Sequence, residues 1–144
     1  MIFRATSALI VLFTFAACTP QGPSRDEVWE IIEGCDGNER CAFATLATNE
    51  YNKIAGKPLG HGISVRGAKT DGKVVSLAVN VPERIKSEPT RDGRTAEQQL
   101  AYSVKKDLCG KKTTRRFFEI GGELEFSTYL PSGERFSKST VDSC

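Results

Sequence analysis

The chain has 144 residues, of which 39% are hydrophobic and 26% charged, a length that fits a single domain. It carries 20 Lys and Arg against 18 Asp and Glu, a formal net charge of +2. This nearly balanced charge argues against a protein that binds nucleic acid or another polyanion through its overall charge.

Residues 1–17 have the pattern of an export signal. Arg4 precedes an uncharged run, 5–17, that is rich in Leu, Ile, Val and Phe. The run is shorter than the ~20 apolar residues that a membrane-spanning helix needs, and no cationic stop-transfer segment follows it. We therefore predict a signal peptide over residues 1–17. Its removal, with Arg4, leaves 19 cations against 18 anions.

The predicted signal ends at Phe15-Ala16-Ala17-Cys18. This sequence resembles the bacterial lipobox, in which small residues precede a cysteine that is lipidated on sulfur and becomes the new N-terminus; Phe15 stands where Leu is usual. The resemblance implies a covalent lipid on Cys18 as the only prosthetic group, and a lipid bilayer as one partner. The alternative is an ordinary secretory signal and a soluble periplasmic protein.

The residues after Cys18 define the tether and the location. Residues 18–23 contain two prolines and a glycine, so we predict an acylated N-terminus and a short tether there. Thr19 stands where an Asp would follow the cysteine in lipoproteins retained at the inner membrane. By resemblance to those sorting patterns, the protein belongs to the outer membrane of the cell envelope and faces the periplasm. Residues 24–144 are predicted to form one small domain.

Four cysteines remain in this domain: Cys35, Cys41, Cys109 and Cys144. An even number in a small exported domain is typical of disulfides. The spacings C-x5-C and C-x34-C lack the C-x2-C pair of zinc sites, so we predict no metal. Of the three possible pairings we predict Cys35 with Cys41, closing a small loop between adjacent helices, and Cys109 with Cys144, tying the chain end to the preceding helix.

Three helices and one helical turn are predicted from capping pairs and apolar spacing. Ser or Thr followed three residues later by Glu or Gln opens helices over 24–34 and 95–109, each ended by a glycine. Apolar residues recur every three or four positions over 36–56 and indicate a second helix antiparallel to the first. A helical turn is predicted over 115–120.

Two hairpins are predicted from alternating apolar and polar residues. Residues 63–81 alternate about a turn at 70–72, and residues 123–142 about a turn at 131–133. The last strand, 134–142, is polar and is therefore expected at an edge. The order α-α-β-β-α-β-β predicts an α+β fold, with an antiparallel sheet of about four strands, helices on one face, and stabilisation by disulfides.

No catalytic constellation is recognisable, and we predict that the protein is not an enzyme. His61 is the single histidine, and it lies between two glycines, where no serine or cysteine nucleophile can be matched to it. The glycines at 56–62 lack the order of a phosphate-binding loop. No carboxylate pair lies in an apolar sequence environment that would raise a pKa.

Six cations occur within residues 105–116, against one anion, Asp107: Lys105, Lys106, Lys111, Lys112, Arg115 and Arg116. We predict that this basic cluster binds a partner, together with the edge strand 134–142 and a charged, breaker-rich loop over 82–93. The alternative is an ordinary solvated face. In that case the partner would be expected to bind at the helix of Trp29 or at the loop around His61.

The C-terminal part resembles small outer-membrane lipoproteins of the pilotin type. The resemblance rests on Cys109 at a helix end, the segment Arg115-Arg116-Phe117-Phe118, Gly121-Gly122, a strand to Tyr129, a turn at Gly133 and the closing Cys144. It implies a non-catalytic binding or escort module for another envelope protein, since pilotins bind a short segment of a secretin subunit. The same build also serves inhibitor, immunity and surface-exclusion lipoproteins, which are the alternative.

Overall fold

A computed structural model describes residues 23–144, so residues 1–22, with the predicted signal peptide, Cys18 and most of the tether, lie outside the described residues. In chain order the described elements are α1 (Arg25–Gly34), α2 (Glu39–Lys53), β1 (Ser64–Thr70), β2 (Val74–Asn80), a 3-10 helix η1 (Glu83–Ser87), α3 (Ala96–Cys109), α4 (Lys112–Glu119), β3 (Glu123–Tyr129) and β4 (Arg135–Val141). The predicted α+β class and element order are confirmed.

The helices begin at the capping residues that the sequence contains. The Ser24 hydroxyl accepts a hydrogen bond from the Glu27 N–H (3.1 Å), and Thr95 and Gln98 form a complete capping box at α3. Such caps satisfy N–H groups that have no partner within the helix. Helix α4 starts at Lys112, three residues before the predicted turn. No helix within residues 23–144 has the length and apolar character needed to cross a membrane.

The four strands form one sheet in the order β1-β2-β3-β4. Both predicted hairpins are confirmed as antiparallel pairs. The central strands β2 and β3 are parallel, so the sheet is mixed and not wholly antiparallel. The connection between them contains η1, α3 and α4. A connection of this length carries the chain back to the end of the sheet at which β2 began, and β3 then runs in the same direction.

The hydrophobic core lies between one face of the sheet and the helices. The register aligns Leu77 of β2 with Phe126 of β3 on this buried face. Helix α2 packs on β1 and β2, and α3 packs along β4, which confirms the predicted placement of the helices on one face. The opposite face carries polar side chains, among them Ser76, Glu125 and Lys138.

Both predicted disulfides are present. Cys35 is bonded to Cys41, with a Cα–Cα distance of 5.7 Å, and Cys109 to Cys144, with a distance of 5.6 Å. The first bond closes the short connection between α1 and α2. The second joins the C-terminal end of α3 to the residues that follow β4, so that the chain end is held against the domain.

Gly121 and Gly122 connect α4 to β3. Gly121 has φ +83°, which favours glycine. A side chain at Gly122 would collide with the buried ring of Phe117. This pair of glycines therefore lets α4 turn directly into β3 while its aromatic face stays in the core.

The segment predicted as a loop over 82–93 is partly ordered into η1. Ile85 is buried and belongs to the main core cluster, and Lys86 pairs with Glu83 at 2.6 Å. The prediction of a loop throughout was wrong because one apolar side chain among charged and breaker residues is enough to fix a short helical turn on the core.

Candidate partner-binding site

The predicted basic cluster lies where α3 ends and α4 begins. Lys105 and Lys106 are on the last turns of α3, and Lys111 and Lys112 precede and open α4. Lys105, Lys106 and Lys112 are exposed, while Lys111 is half-buried. These four lysines thus form a basic surface at one end of the domain.

The two arginines of the cluster have partners inside the domain. Arg115 Nη1 donates to the Cys109 carbonyl (2.7 Å), an acceptor that the end of α3 leaves without a helical partner. Arg116 makes a bidentate pair with Glu39, at 3.1 and 3.0 Å. The hydrogen bond from Arg116 lowers the pKa of Glu39. Both arginines remain exposed, and the binding role of the six cations stays a prediction; the four lysines are the members without such contacts inside the domain.

Asp107, the anion within the cluster, points partly inward. Its Oδ2 atom is buried and accepts no hydrogen bond from the described residues. Burial raises the pKa of Asp107, and the charges of Lys106 and Lys111 oppose this shift. One carboxylate oxygen of Asp107 is thus directed inward, while Lys105, Lys106 and Lys112 are exposed.

Helix α3 runs along β4, and the two ends of this pair differ. At the C-terminal end, Cys109 is bonded to Cys144 beside the lysines. At the other end lies a cavity of about 330 Å³, lined by Lys86, Ala96, Glu97, Leu130, Glu134, Arg135 and Phe136. The 14 residues of α3 span roughly 20 Å. The loop over 82–93 is therefore at the far end from the basic cluster, and the prediction that the two are adjacent was wrong.

The β1 edge of the sheet is closed by the residues at the end of α2 and just after it. The Asn52 side chain accepts a hydrogen bond from the Ala68 N–H (2.8 Å) and donates one to the Ala68 carbonyl (2.9 Å). The Gly56 N–H donates to the Val65 carbonyl (2.8 Å). Sequence reasoning did not identify Asn52, because nothing in the local pattern shows that an exposed helical amide will meet a strand 16 residues later.

Hydrogen bonds at both ends of β3 fix which of its residues bond to β2. The Glu123 N–H donates to the Lys73 carbonyl (3.0 Å), and the Val81 N–H donates to the Tyr129 carbonyl (2.9 Å). The backbone groups of successive residues in a strand point to opposite sides. The odd-numbered residues of β3 therefore bond to β2, and the even-numbered residues bond to β4.

This alternation identifies the outward-facing groups of β4. The even-numbered residues of β3 pair with Ser137, Ser139 and Val141, which therefore direct their N–H and C=O groups toward β3. Lys138 and Thr140 direct theirs away from the sheet. No residue within 23–144 forms a hydrogen bond with these outward groups. The predicted edge strand is confirmed, and its edge is open.

The other places proposed from the sequence do not form a comparable surface. Trp29 is 53% exposed on α1, a helix with no buried residue. His61 is exposed in the turn before β1, and its carbonyl accepts a hydrogen bond from Arg84 (2.5 Å). Across residues 23–144, no three His, Cys, Asp or Glu side chains come together as metal ligands would.

A scan against protein-family models and a search of curated proteins gave no match, whereas solved structures share the fold. A Pseudomonas aeruginosa protein described as secreted is 15% identical, with a TM-score of 0.57 over 72% of this chain and 89% of that chain. The pilotin EpsS of the Vibrio vulnificus type 2 secretion system is 14% identical, with a TM-score of 0.51 over 69% and 86%. The Vibrio cholerae type II secretion pilotin AspS is 18% identical, with a TM-score of 0.49 over 71% and 84%. The described domain thus shares its fold with a secreted protein and with a pilotin.

Proposed function

We propose that the protein is an acyl-anchored, non-catalytic module of the bacterial outer membrane that binds a segment of another envelope protein, in the manner of a pilotin. The observation that carries this proposal is the fold shared with the Vibrio vulnificus pilotin over 86% of that chain. The lipobox-like sequence before Cys18 supports it independently, because a pilotin-type protein needs a membrane anchor.

The length of the tether supports a position close to the membrane. Helix α1 begins at Arg25, seven residues after Cys18. A fully extended chain of this length reaches roughly 25 Å. An acylated Cys18 would therefore hold the domain within about its own diameter of the bilayer surface, where segments of other envelope proteins are within reach.

The anchor is tested by metabolic labelling with a clickable fatty acid. The wild-type chain should be labelled and recovered in the outer-membrane fraction, and Cys18→Ser should be unlabelled and soluble in the periplasm. Label that persists in Cys18→Ser would contradict lipidation at this residue.

The binding role is tested by purifying the protein from envelopes after mild cross-linking and identifying its partner by mass spectrometry. A multimeric secretin is expected. Recovery of a hydrolase or a toxin would instead support the inhibitor or immunity alternative. Recovery of the chain alone, from cells that express the candidate partners, would overturn the binding role.

A further inference from the structure

We propose that β4 is the docking edge, and that an extended segment of the partner adds to it as a fifth strand with its acidic side chains next to Lys105, Lys106 and Lys112. This inference rests on the proposed function and deepens it by specifying the partner segment. It commits to an extended, acidic peptide segment as the occupant.

The outward backbone groups of β4 supply the geometry for strand addition. Lys138 and Thr140 each offer one N–H donor and one C=O acceptor, spaced two residues apart as in a sheet ladder. An incoming strand about 4.8 Å away would satisfy all four groups. Such main-chain bonds provide affinity in strand addition, and neighbouring side chains provide specificity.

The opposite edge excludes the same mode of binding. The outward groups of Ala68 on β1 are already bonded to the Asn52 side chain, and the Val65 carbonyl is bonded to Gly56. An incoming strand would have to displace these bonds and move the end of α2. The middle of β1 is therefore already bonded within the domain, whereas the outward groups of both Lys138 and Thr140 on β4 have no bond within residues 23–144.

The charge beside the end of β4 selects an acidic segment. Cys144, three residues after β4, is bonded to Cys109, which places Lys106 and Lys112 near the end of the strand. Lys138 is already paired with Glu125 at 2.8 Å, so at the C-terminal end of β4 the lysines of α3 and α4 are the cations left to meet the incoming segment. Attraction of this kind speeds encounter and weakens with salt.

The same charges disfavour a second copy of this chain as the occupant. If two β4 strands paired antiparallel, the lysine end of each copy would lie beside Arg135 at the start of the other strand. Like charges brought together across strands are destabilising. Cations on an edge strand are a common protection against self-pairing, and an acidic peptide would not meet this barrier.

Photo-cross-linking in intact cells distinguishes the two edges. We would place p-benzoylphenylalanine at position 140 on β4 or, as the matched control, at position 69 on β1; both positions are exposed. The probe at 140 should cross-link the partner that the wild-type chain captures, through a peptide rich in Asp or Glu, and the probe at 69 should not. Cross-linking at 69 alone, or at 140 only to a second copy of this chain, would overturn the inference.

Two substitutions at one position separate backbone pairing from side-chain contact. Thr140→Pro removes an outward N–H without removing a bond to β3, and should weaken capture of the same partner about tenfold. Thr140→Val keeps the N–H and should capture it as the wild type does. Amide exchange of the core strands verifies that both variants are folded.

The outcomes separate this inference from the proposed function. Undiminished capture by folded Thr140→Pro would overturn strand addition at β4 while leaving the binding role intact. If the wild-type chain itself captures no partner, the binding role is overturned, and the proposed docking edge is overturned with it.

Discussion

The two edge strands of the sheet, β1 and β4, each have seven residues. They differ in whether their outward N–H and C=O groups are hydrogen-bonded within the domain. At β1 both groups of Ala68 are bonded by Asn52 of α2, and the Val65 carbonyl is bonded by Gly56, which follows that helix. At β4 the outward groups remain without partners in residues 23–144, and Lys106 and Lys112 lie near the end of the strand. Backbone groups that are bonded within the domain stabilise the fold, whereas backbone groups without partners remain free to bond an incoming strand.

The difference follows from which helix lies beside each edge. Helix α2 ends next to β1, so its terminal residues can reach the strand. Helix α3 lies along β4, but its inward residues, such as Val104 and Leu108, are used by the core. No side chain of α3 forms a hydrogen bond with the outward groups of Lys138 and Thr140.

The disulfide at the end of β4 should give the largest effect on stability. Removing it with Cys109→Ser and Cys144→Ser opens a loop with a sequence separation of 35, and chain entropy predicts a loss of about 4 kcal/mol. Urea unfolding measures this loss. Amide exchange should show β4 losing protection before β1, which would widen the difference between the edges.

The bond between Cys35 and Cys41 provides the matched comparison. Its sequence separation is only 6, so replacing both cysteines with Ser should cost about 2 kcal/mol and leave β4 protected. If removing either disulfide lowered the stability by the same amount, the stabilisation could not be explained by the length of the closed loop.

Opening the β1 edge should have an intermediate effect. Asn52→Ala removes both hydrogen bonds to Ala68, and water can replace them only in part, so we expect a loss of about 1 kcal/mol. Amide exchange at Ala68 should rise. Asn49→Ala on the same helix is the control, since the Asn49 side chain makes no hydrogen bond within the described residues. An equal loss of stability there would indicate that the substitution acts on the helix and not on the β1 edge.

The pair between Arg116 and Glu39 should have a smaller, pH-dependent effect. Arg116 lowers the pKa of Glu39 below its ordinary value of 4.5 in the folded state. The stabilisation is therefore present above the unfolded pKa and is lost as the pH falls through the folded pKa. Arg116→Gln should destabilise slightly at pH 7 and not at pH 2, as measured by urea unfolding. A constant difference at both pH values would contradict this pairing.

The lysines should have the smallest effect on stability and a clear effect on binding. Changing Lys105, Lys106 and Lys112 to Gln removes exposed charges that have no ion pair within the described residues, and unfolding should be nearly unchanged. Partner capture should weaken at low salt and lose its salt dependence. This result would show that the lysines at the β4 end contribute to binding and not to folding.

Exposed cations elsewhere provide the control for this change. Lys57→Gln, Lys69→Gln and Arg91→Gln remove the same number of charges from other parts of the surface. Capture should keep its salt dependence in that variant. An equal loss would indicate an effect of net charge and not of the lysines near β4.

Much of the fold could be predicted from local patterns. The capping pair of Thr95 with Gln98, and the alternation of Val75, Leu77 and Val79, identified α3 and β2 because caps and burial act over a few residues. The pairing of Cys109 with Cys144 was predicted because a chain end needs an anchor. The direction of β3 relative to β2 was not, since it depends on the path of a long connection.

The candidate site was predicted only in part. The basic run and the polar edge strand were recognisable, because a cluster of charges and an alternating pattern both depend only on residues that are neighbours in the sequence. The partners of Arg115 and Arg116 were not, since Glu39 is 77 residues from Arg116 and meets it only in the folded chain. The loop over 82–93 was placed beside the cluster although α3 separates them.

The sequence by itself determined the elements, their caps, the even set of cysteines and the polar character of the last strand, because these depend on neighbouring residues. Only the tertiary structure decided which edge of the sheet stays open. That outcome depends on Asn52 reaching Ala68 and on no side chain reaching Lys138 or Thr140. Contacts of this kind arise from the packing of helices on the sheet, and no periodicity in the chain encodes them.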